Sequence, residues 1–126
     1  MSVPTFTPNQ HTRTMRFARA LSVAARPRRS ALYLPGSNAR ALQKARTLPC
    51  DVLILDLEDA VAPEAKALAR SQIVEALADR ESFGERELVV RVNGIGTEWG
   101  MDDLRALAAT PSGHPVSPQP KVLMHA

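Results

Sequence analysis

The sequence predicts an α/β fold that is built on a parallel sheet. Between residues 30 and 109, three apolar segments with strand character alternate with three segments of helical spacing. Parallel neighbours in a sheet need a helical crossover between them, so this alternation favours right-handed strand–helix–strand units. We therefore expect one sheet with its helices packed against it.

The first unit is a short strand followed by a turn and a helix. Ala31–Leu34 is apolar and is followed by Pro35 and Gly36, a pair typical of a strand that ends in a turn. Ser37 or Asn38 can then cap a helix that we expect to run through Arg46.

The second unit contains the clearest strand of the sequence. Val52–Leu57 is almost continuously apolar and rich in branched side chains, which indicates a parallel strand covered on both faces. Pro63 and Glu64 suit the first turn of a helix that reaches about Asp79. Its inward stripe has four-residue spacing and consists of Ala65, Ala69, Ile73 and Leu77.

The third unit begins with a strand over Glu87–Val92. A loop over residues 93–96 leads to a helix near Met101–Ala109. We expect this helix to bury Met101, Leu104, Leu107 and Ala108.

Composition and charge exclude several classes of protein. The 126 residues carry a net charge of +3, but the nine Lys and Arg of residues 1–50 face no acid, whereas thirteen acids outnumber seven bases in residues 51–126. Five scattered aromatic residues argue against a nucleic-acid module. No apolar run is long enough for a membrane helix, and the single Cys50 favours a reducing compartment.

Three segments follow from these patterns. Residues 1–29 are a basic leader, which we interpret as disordered, with a transit peptide or a start at Met15 as alternatives. Residues 30–110 form the α/β part. Residues 111–126 are interpreted as an irregular tail, because four prolines occupy the place where a fourth strand would begin. A sheet of three strands would be unfinished, so the chain is either a fragment of a larger α/β protein or is completed by another chain.

An acidic cluster follows the second strand. Asp56, Glu58 and Asp59 would repel one another unless a cation, an arginine or hydrogen bonds offset their charge. Carboxylate oxygens suit a hard cation such as Mg²⁺, bound directly or through its waters. The alternative is that Asp56 or Asp59 accepts hydrogen bonds from the nearby backbone or caps the next helix.

Arg91 lies at the end of the third strand, and Asn93 lies two residues after it. A guanidinium there can hold a substrate carboxylate through two parallel hydrogen bonds. It can equally form a structural ion pair with Glu58 or Asp59. Because the ends of parallel strands meet at one edge of the sheet, these residues are expected to lie together.

The first strand end offers Pro35, Gly36, Ser37 and Asn38. Backbone N–H groups at the start of the following helix could receive a phosphate or a carboxylate. An ordinary capped helix is the alternative.

Three segments resemble a known family in order and spacing. Residues 29–38 (RSALYLPGSN), 53–61 (LILDLEDAV) and 88–93 (LVVRVN), followed by Trp99 and Gly100, are similar to the N-terminal part of the citrate lyase β-subunit-like proteins of the HpcH/HpaI aldolase group. The resemblance covers about residues 28–109. It implies the first three β/α units of a (β/α)8 TIM-type barrel, so we expect the barrel to be truncated.

The resemblance also implies a chemistry. Family members cleave or form carbon–carbon bonds next to a thioester, with Mg²⁺ at the strand ends. Arg91 corresponds to the arginine that holds the oxo or hydroxy acid, with Asn93 on the substrate side, and Glu58 and Asp59 correspond to the acidic pair beside the metal and its waters. The two direct metal ligands of the family are expected beyond Ala126.

The resemblance places further residues on the coenzyme A side of the site. They are the turn residues Pro35, Gly36, Ser37 and Asn38 together with Arg29, Arg40 and Lys44. It also implies an acyl-CoA or 2-oxo acid substrate, and homo-oligomers for full-length members. The composition, as stated above, leads us to expect no nucleic-acid or membrane partner.

Two function classes remain from the sequence. The first is a Mg²⁺-dependent carbon–carbon lyase that acts on a hydroxyacyl-CoA or citryl-type thioester, with a fragment of that lyase that is inactive by itself as the alternative. The second is a non-catalytic remnant or interaction fragment that pairs with another chain. We expect a cytoplasmic location, with a mitochondrial one as the alternative.

Overall fold

The computed structural model describes residues 27–110 and 121–124, which form a parallel sheet with helices on one face. The strand order is β1-β2-β3-β4. The strands are β1 (Ala31–Pro35), β2 (Val52–Asp56), β3 (Glu87–Val92) and β4 (Lys121–Met124). The helices are α1 (Ala39–Ala45), α2 (Lys66–Ala78) and α3 (Gly100–Ala108), with 3₁₀ turns at Pro63–Ala65 and Arg80–Phe83.

A fourth strand corrects the prediction of a three-stranded sheet with an irregular tail over residues 111–126. β4 pairs with β3 in parallel, with Val89 opposite Lys121 and Val92 opposite Met124. The prolines that argued against a strand precede Lys121, so they leave its backbone donors intact. Residues 111–120 and 125–126, with His114 and His125, lie outside the described residues.

The strand register divides the sheet into a helix-covered face and an open face. Side chains alternate along a strand, and paired residues of parallel strands point the same way. Leu34, Leu55 and Val90 share the helix-covered face and are almost completely buried, together with Leu42 of α1 and Ile73 of α2. The open face carries the side chains of Tyr33, Ile54, Asp56, Val89, Arg91 and Leu123.

The helices agree with the predictions in position and differ at their ends. Asn38 is the N-cap of α1, and its side chain accepts a hydrogen bond from the N–H of Ala41 (3.0 Å). Pro63 and Glu64 form a 3₁₀ turn before α2 rather than its first turn. The predicted stripe of α2 is confirmed at its buried members Ala69, Ile73 and Leu77.

The predicted inward stripe of α3 is confirmed at Leu104 and Leu107, which pack against the core, and is wrong at Met101 and Ala108. Met101 is 44% exposed and Ala108 is exposed as well, while Leu104 and Leu107 are half-buried. The fully buried side chain of this helix is Asp103. The sequence prediction missed Asp103 because it assumed a purely apolar interface, whereas α3 also buries a carboxylate that has polar partners.

Residues at the end of the predicted leader contact the sheet. Arg28 forms an ion pair with Glu87 (2.5 Å), and Arg29 forms one with Asp51 (3.2 Å). Arg28 and Arg29 are thus anchored to the folded part, and the predicted division of the chain at residue 29 stays a prediction. The other predictions for the leader concern residues 1–26, which lie outside the described residues.

Among the described residues, no helix is long and apolar enough to cross a membrane.

Gly36 lies where the chain leaves β1, and we expect Gly36→Ala to lower the free energy of unfolding by about 1–3 kcal/mol. A Cβ at this position would come within 2.6 Å of Ile73 Cδ1 and 2.9 Å of the Asp56 carbonyl oxygen. Gly96→Ala is the matched control, because a Cβ there meets no atom within 4 Å. Urea denaturation of both variants checks this prediction, and equal midpoints would contradict it.

Candidate active site

The carboxyl ends of β2 and β3 bring an aspartate and an arginine together. Asp56 and Arg91 are partners in the register of these strands and point to the open face. Arg91 Nε donates to Asp56 Oδ1 (2.8 Å) and Nη2 donates to Oδ2 (2.7 Å), a bidentate pair. The Asp56 side chain is fully buried and that of Arg91 is 16% exposed. The shortest contacts of Arg91 are thus with Asp56, a pairing that the sequence analysis did not name, and the alternative of an ion pair with Glu58 or Asp59 is confirmed beside it.

Asp56 also shapes the turn that carries the other two acids. Its Oδ1 accepts a hydrogen bond from the N–H of Glu58 (2.9 Å), and its Oδ2 accepts one from the N–H of Ala60 (3.0 Å). Leu57 donates its N–H to the carbonyl of Arg91 (2.9 Å), which keeps the turn against β3. The alternative that Asp56 accepts from the backbone is confirmed, and it coexists with the ion pair.

Glu58 and Asp59 converge on the outer part of the guanidinium. Oε2 of Glu58 and Oδ2 of Asp59 each lie 3.3 Å from Arg91 Nη1. The contact with Asp59 is a long hydrogen bond to a side chain that is 79% exposed. Glu58 Oε2 is buried and has no hydrogen-bond partner among the described residues. The predicted clustering of the three residues is therefore confirmed by their positions, and Glu58 keeps an acceptor atom available.

Tyr33 covers one face of the guanidinium. Its ring centroid lies 5.0 Å from Arg91 Cζ, a cation–π distance, and the residue is 51% exposed. The ring stands on β1, so three strands contribute to the surroundings of Arg91.

The electrostatics of the pair keep both groups charged. Burial raises the pKa of Asp56, but hydrogen bonds from Arg91 and from the N–H groups of Glu58 and Ala60 outweigh it, so the pKa lies below its ordinary value. The hydrogen bond to Asp56 raises the pKa of Arg91 above its ordinary value. The negative charges of Glu58 and Asp59 raise this pKa as well.

The lowered pKa of Asp56 predicts a pH dependence of folding. Since the native carboxyl binds its proton less readily than the unfolded one, its contribution is present above about pH 4 and is lost as the pH falls through the native pKa. We expect the wild-type chain to lose stability below about pH 4 more steeply than Asp56→Asn. Urea midpoints at a series of pH values measure this; parallel curves for the two proteins would contradict it.

Asn93 lies in a buried network behind the strand ends. Its Nδ2 donates to the carbonyl of Leu57 (2.9 Å) and to Asp103 Oδ2 (2.7 Å), and its Oδ1 accepts from Lys66 Nζ (2.8 Å). Asp103 in turn pairs with Arg70 Nε (2.9 Å). Because Asn93 is only 3% exposed and its amide is occupied, its geometry gives it a role inside the protein, and its predicted contact with substrate stays a prediction that this burial argues against.

The residues predicted for the coenzyme A side do not lie together. The N–H of Gly36 donates to the Asp56 carbonyl (2.8 Å), so the turn after β1 adjoins the acidic cluster. Arg29 precedes β1 and pairs with Asp51 before β2, which places it at the opposite, amino-terminal edge of the sheet. Arg29 is therefore not near the turn after β1, whereas Arg40 and Lys44 are exposed on the helix that follows that turn, and the coenzyme A role of all these residues stays a prediction.

Sequence reasoning missed several members of this site. Tyr33, Lys66, Arg70 and Asp103 were not considered, and Asp56 was not paired with Arg91. Lys66 could have been found, because it lies three residues before Ala69 and seven before Ile73 and so interrupts an apolar stripe with a charge. Within residues 27–110 and 121–124 no group of three acidic, histidine or cysteine side chains could hold a metal ion.

Comparison with known proteins decides the family. Residues 29–122 match the model of the HpcH/HpaI aldolase/citrate lyase family, which is most of the chain. The chain belongs to the HpcH/HpaI aldolase/citrate lyase family. The resemblance inferred from its three sequence segments is confirmed.

The chain is similar to two curated relatives of the HpcH/HpaI family that differ in activity. A (3S)-malyl-CoA thioesterase from Cereibacter sphaeroides is 50% identical over 86 residues, which are 68% of this chain and 30% of the relative. The citrate lyase subunit beta of Escherichia coli is 42% identical over 82 residues, 65% of this chain and 27% of the relative. The chain thus spans about 30% of the length of the curated relatives that it matches.

A solved structure supports the same fold. The protein CitE from Mycobacterium tuberculosis, in complex with magnesium, acetoacetate and coenzyme A, matches with a TM-score of 0.53 and 32% sequence identity. The match covers 75% of this chain and 38% of CitE. The parallel sheet with outer helices is therefore part of a TIM-type barrel, as the fold prediction stated, and magnesium is the metal of this family's structures.

Proposed function

We propose that the chain provides the acid-binding part of the active site of a Mg²⁺-dependent carbon–carbon lyase that acts on a hydroxyacyl-CoA or citryl-type thioester. The family and its acyl-CoA relatives support the substrate class. The observation that carries the proposal is the asymmetric binding of Arg91, which is firmly held along one edge of its guanidinium and loosely along the other.

The firm edge fixes the direction of the arginine. Asp56 occupies Nε and one N–H of Nη2, and Tyr33 lies against the plane of the group. The other edge, between Nη1 and Nη2, meets protein oxygens only at 3.3 Å among the described residues. A substrate carboxylate can replace these longer contacts with two short parallel hydrogen bonds. Arg91 is thus oriented in advance toward an oxo or hydroxy acid.

The acidic pair fits a magnesium site of the family. Glu58 Oε2 is a buried oxygen without a hydrogen-bond partner in the described part of the chain, and Asp59 is exposed beside it, so both can accept hydrogen bonds from the water shell of the ion. The ion, when bound, stabilises the negative charge that develops on the substrate oxygen during bond cleavage. Arg91 holds the carboxylate, and Asp56 keeps Arg91 in place.

A second candidate function is an interaction chain without catalysis. The open face of the sheet exposes Tyr33 by 51% and Leu123 by 43%, as expected of a surface that another segment or chain covers. The cytoplasmic location and the homo-oligomeric assembly stay predictions.

We expect the complete active site to which this chain contributes, supplied with Mg²⁺, to cleave (3S)-malyl-CoA into glyoxylate and acetyl-CoA, and Glu58→Gln to lower the rate at least about tenfold, because the amide loses the charge beside the metal. Chromatography of the products separates this cleavage from hydrolysis, which yields malate and free coenzyme A. Citryl-CoA is the second substrate to test.

Arg105→Gln is the matched control, since Arg105 is exposed on α3 and pairs only with Asp102 in the described residues. Hydrolysis of the thioester without cleavage of the carbon–carbon bond would contradict the proposed lyase activity and indicate a thioesterase. No turnover of either substrate, with a folded chain that associates with itself, would favour the interaction chain.

A further inference from the structure

Lys66 is a buried, positively charged residue that has no role in the proposed function. It lies at the start of α2 and is 5% exposed. Its Nζ donates to the carbonyls of Leu57 (2.7 Å) and Glu58 (2.7 Å) and to Asn93 Oδ1 (2.8 Å). These three bonds use all the donors of an ammonium group. The ring of Trp99 covers it, with the centroid 5.1 Å from Nζ.

The partners of Lys66 are neutral. Within residues 27–110 and 121–124 no carboxylate forms an ion pair with it. Burial of a charge without a counter-charge costs free energy unless hydrogen bonds replace the lost water. The acceptors that replace the water belong to the turn after β2 and to the loop after β3, so the charge binds these two segments to each other.

The network continues into both neighbouring helices. Asn93 bonds through its N–H and its Nδ2 to Asp103 Oδ2 (3.0 and 2.7 Å), and Asp103 pairs with Arg70, one helical turn after Lys66 on α2. Lys66, Asn93 and Asp103 are all at most 5% exposed. The turn that carries Glu58 and Asp59 is thereby connected to the rigid helices on the covered face of the sheet.

We propose that Lys66 is a positioning residue for the acidic turn, defined as residues 56–61. By holding the carbonyls of Leu57 and Glu58, its ammonium group fixes the backbone from which Glu58 and Asp59 reach Arg91. The inference rests on the proposed function, because the group that is positioned is the acid pair of that site. Lys66 itself contacts neither substrate nor metal.

The test compares wild type, Lys66→Met and the surface control Arg105→Met by NMR on the full chain. Methionine keeps most of the length of the side chain but removes the charge and its donors. We expect the amide protons of Glu58 and Ala60, which donate to Asp56, to exchange with solvent at least about tenfold faster in Lys66→Met. The Nε–H resonance of Arg91 should shift, while the amide proton of Leu42 on α1 keeps its wild-type exchange rate. Arg105→Met should resemble wild type throughout.

Every outcome decides the inference. Unchanged exchange in the acidic turn overturns it, and so does an equal acceleration in all four strands, which would make Lys66 a residue of general stability. If Lys66→Met does not fold, Lys66→Gln replaces it, since glutamine keeps N–H donors but removes the charge and leaves the bonds of Asn93 to Leu57 and Asp103 in place. The same local pattern is then expected, and its absence overturns the inference.

A titration with oxaloacetate and Mg²⁺ separates this inference from the proposed function. Wild type that binds, together with Lys66→Met that binds at least about tenfold more weakly, supports both. Wild type that does not bind contradicts the proposed function, while the exchange data still decide the role of Lys66.

Discussion

Asp56→Ala is expected to lower the free energy of unfolding by about 3–5 kcal/mol, the range found when one partner of a buried ion pair is removed. The carboxylate is fully buried and receives four hydrogen bonds, two from Arg91 and one each from the N–H groups of Glu58 and Ala60. Alanine leaves these donors without their acceptor. Arg91 also loses the partner that directs it, so binding of an oxo acid should weaken in the same variant.

Urea denaturation followed by circular dichroism measures the effect of Asp56→Ala. Asp102→Ala is the matched control: Asp102 forms an exposed pair with Arg105 (3.3 Å), and such pairs contribute about 0–1 kcal/mol. If the two variants unfolded at similar urea concentrations, the central place of Asp56 in the turn would be contradicted.

Arg91→Lys is expected to weaken the binding of oxaloacetate on the order of 100-fold while the charge is preserved. The guanidinium holds Asp56 with one edge and offers the other edge to a ligand, whereas an ammonium group cannot form two such bidentate pairs. Lysine also loses the planar group that stacks on Tyr33. The loss of affinity for oxaloacetate should therefore exceed the loss caused by a substitution that only alters the net charge of the protein.

Calorimetric titration with oxaloacetate in the presence of Mg²⁺ measures this prediction. Arg105→Lys serves as the control for an arginine exposed on the surface. An Arg91→Lys variant that binds like wild type would show that charge alone suffices, and the two-edged interpretation of Arg91 would then be wrong.

The local patterns that predicted strands and helices correctly are those with strong periodicity. Val52–Asp56 and Glu87–Val92 form strands at the predicted places, because branched apolar runs have few alternatives to a covered sheet. β4 was not predicted, because the prolines before it indicated an irregular segment. These four residues form a strand by pairing with β3, and such pairing does not show in the local sequence. In α3 the prediction found Leu104 and Leu107, which pack against the core, and missed Asp103, because a charged residue is not expected at a buried position.

By itself the sequence determined the α/β order, the family resemblance, and the grouping of Glu58, Asp59 and Arg91 at one edge of the sheet. These follow from local chemistry and from the rule that parallel strands end together. The tertiary structure alone decided which partners each charge has. Register placed Asp56 opposite Arg91, and helix packing brought Lys66 and Asp103 to Asn93. Such pairings depend on distances across strands and helices far apart in the chain, which spacing along a sequence does not encode.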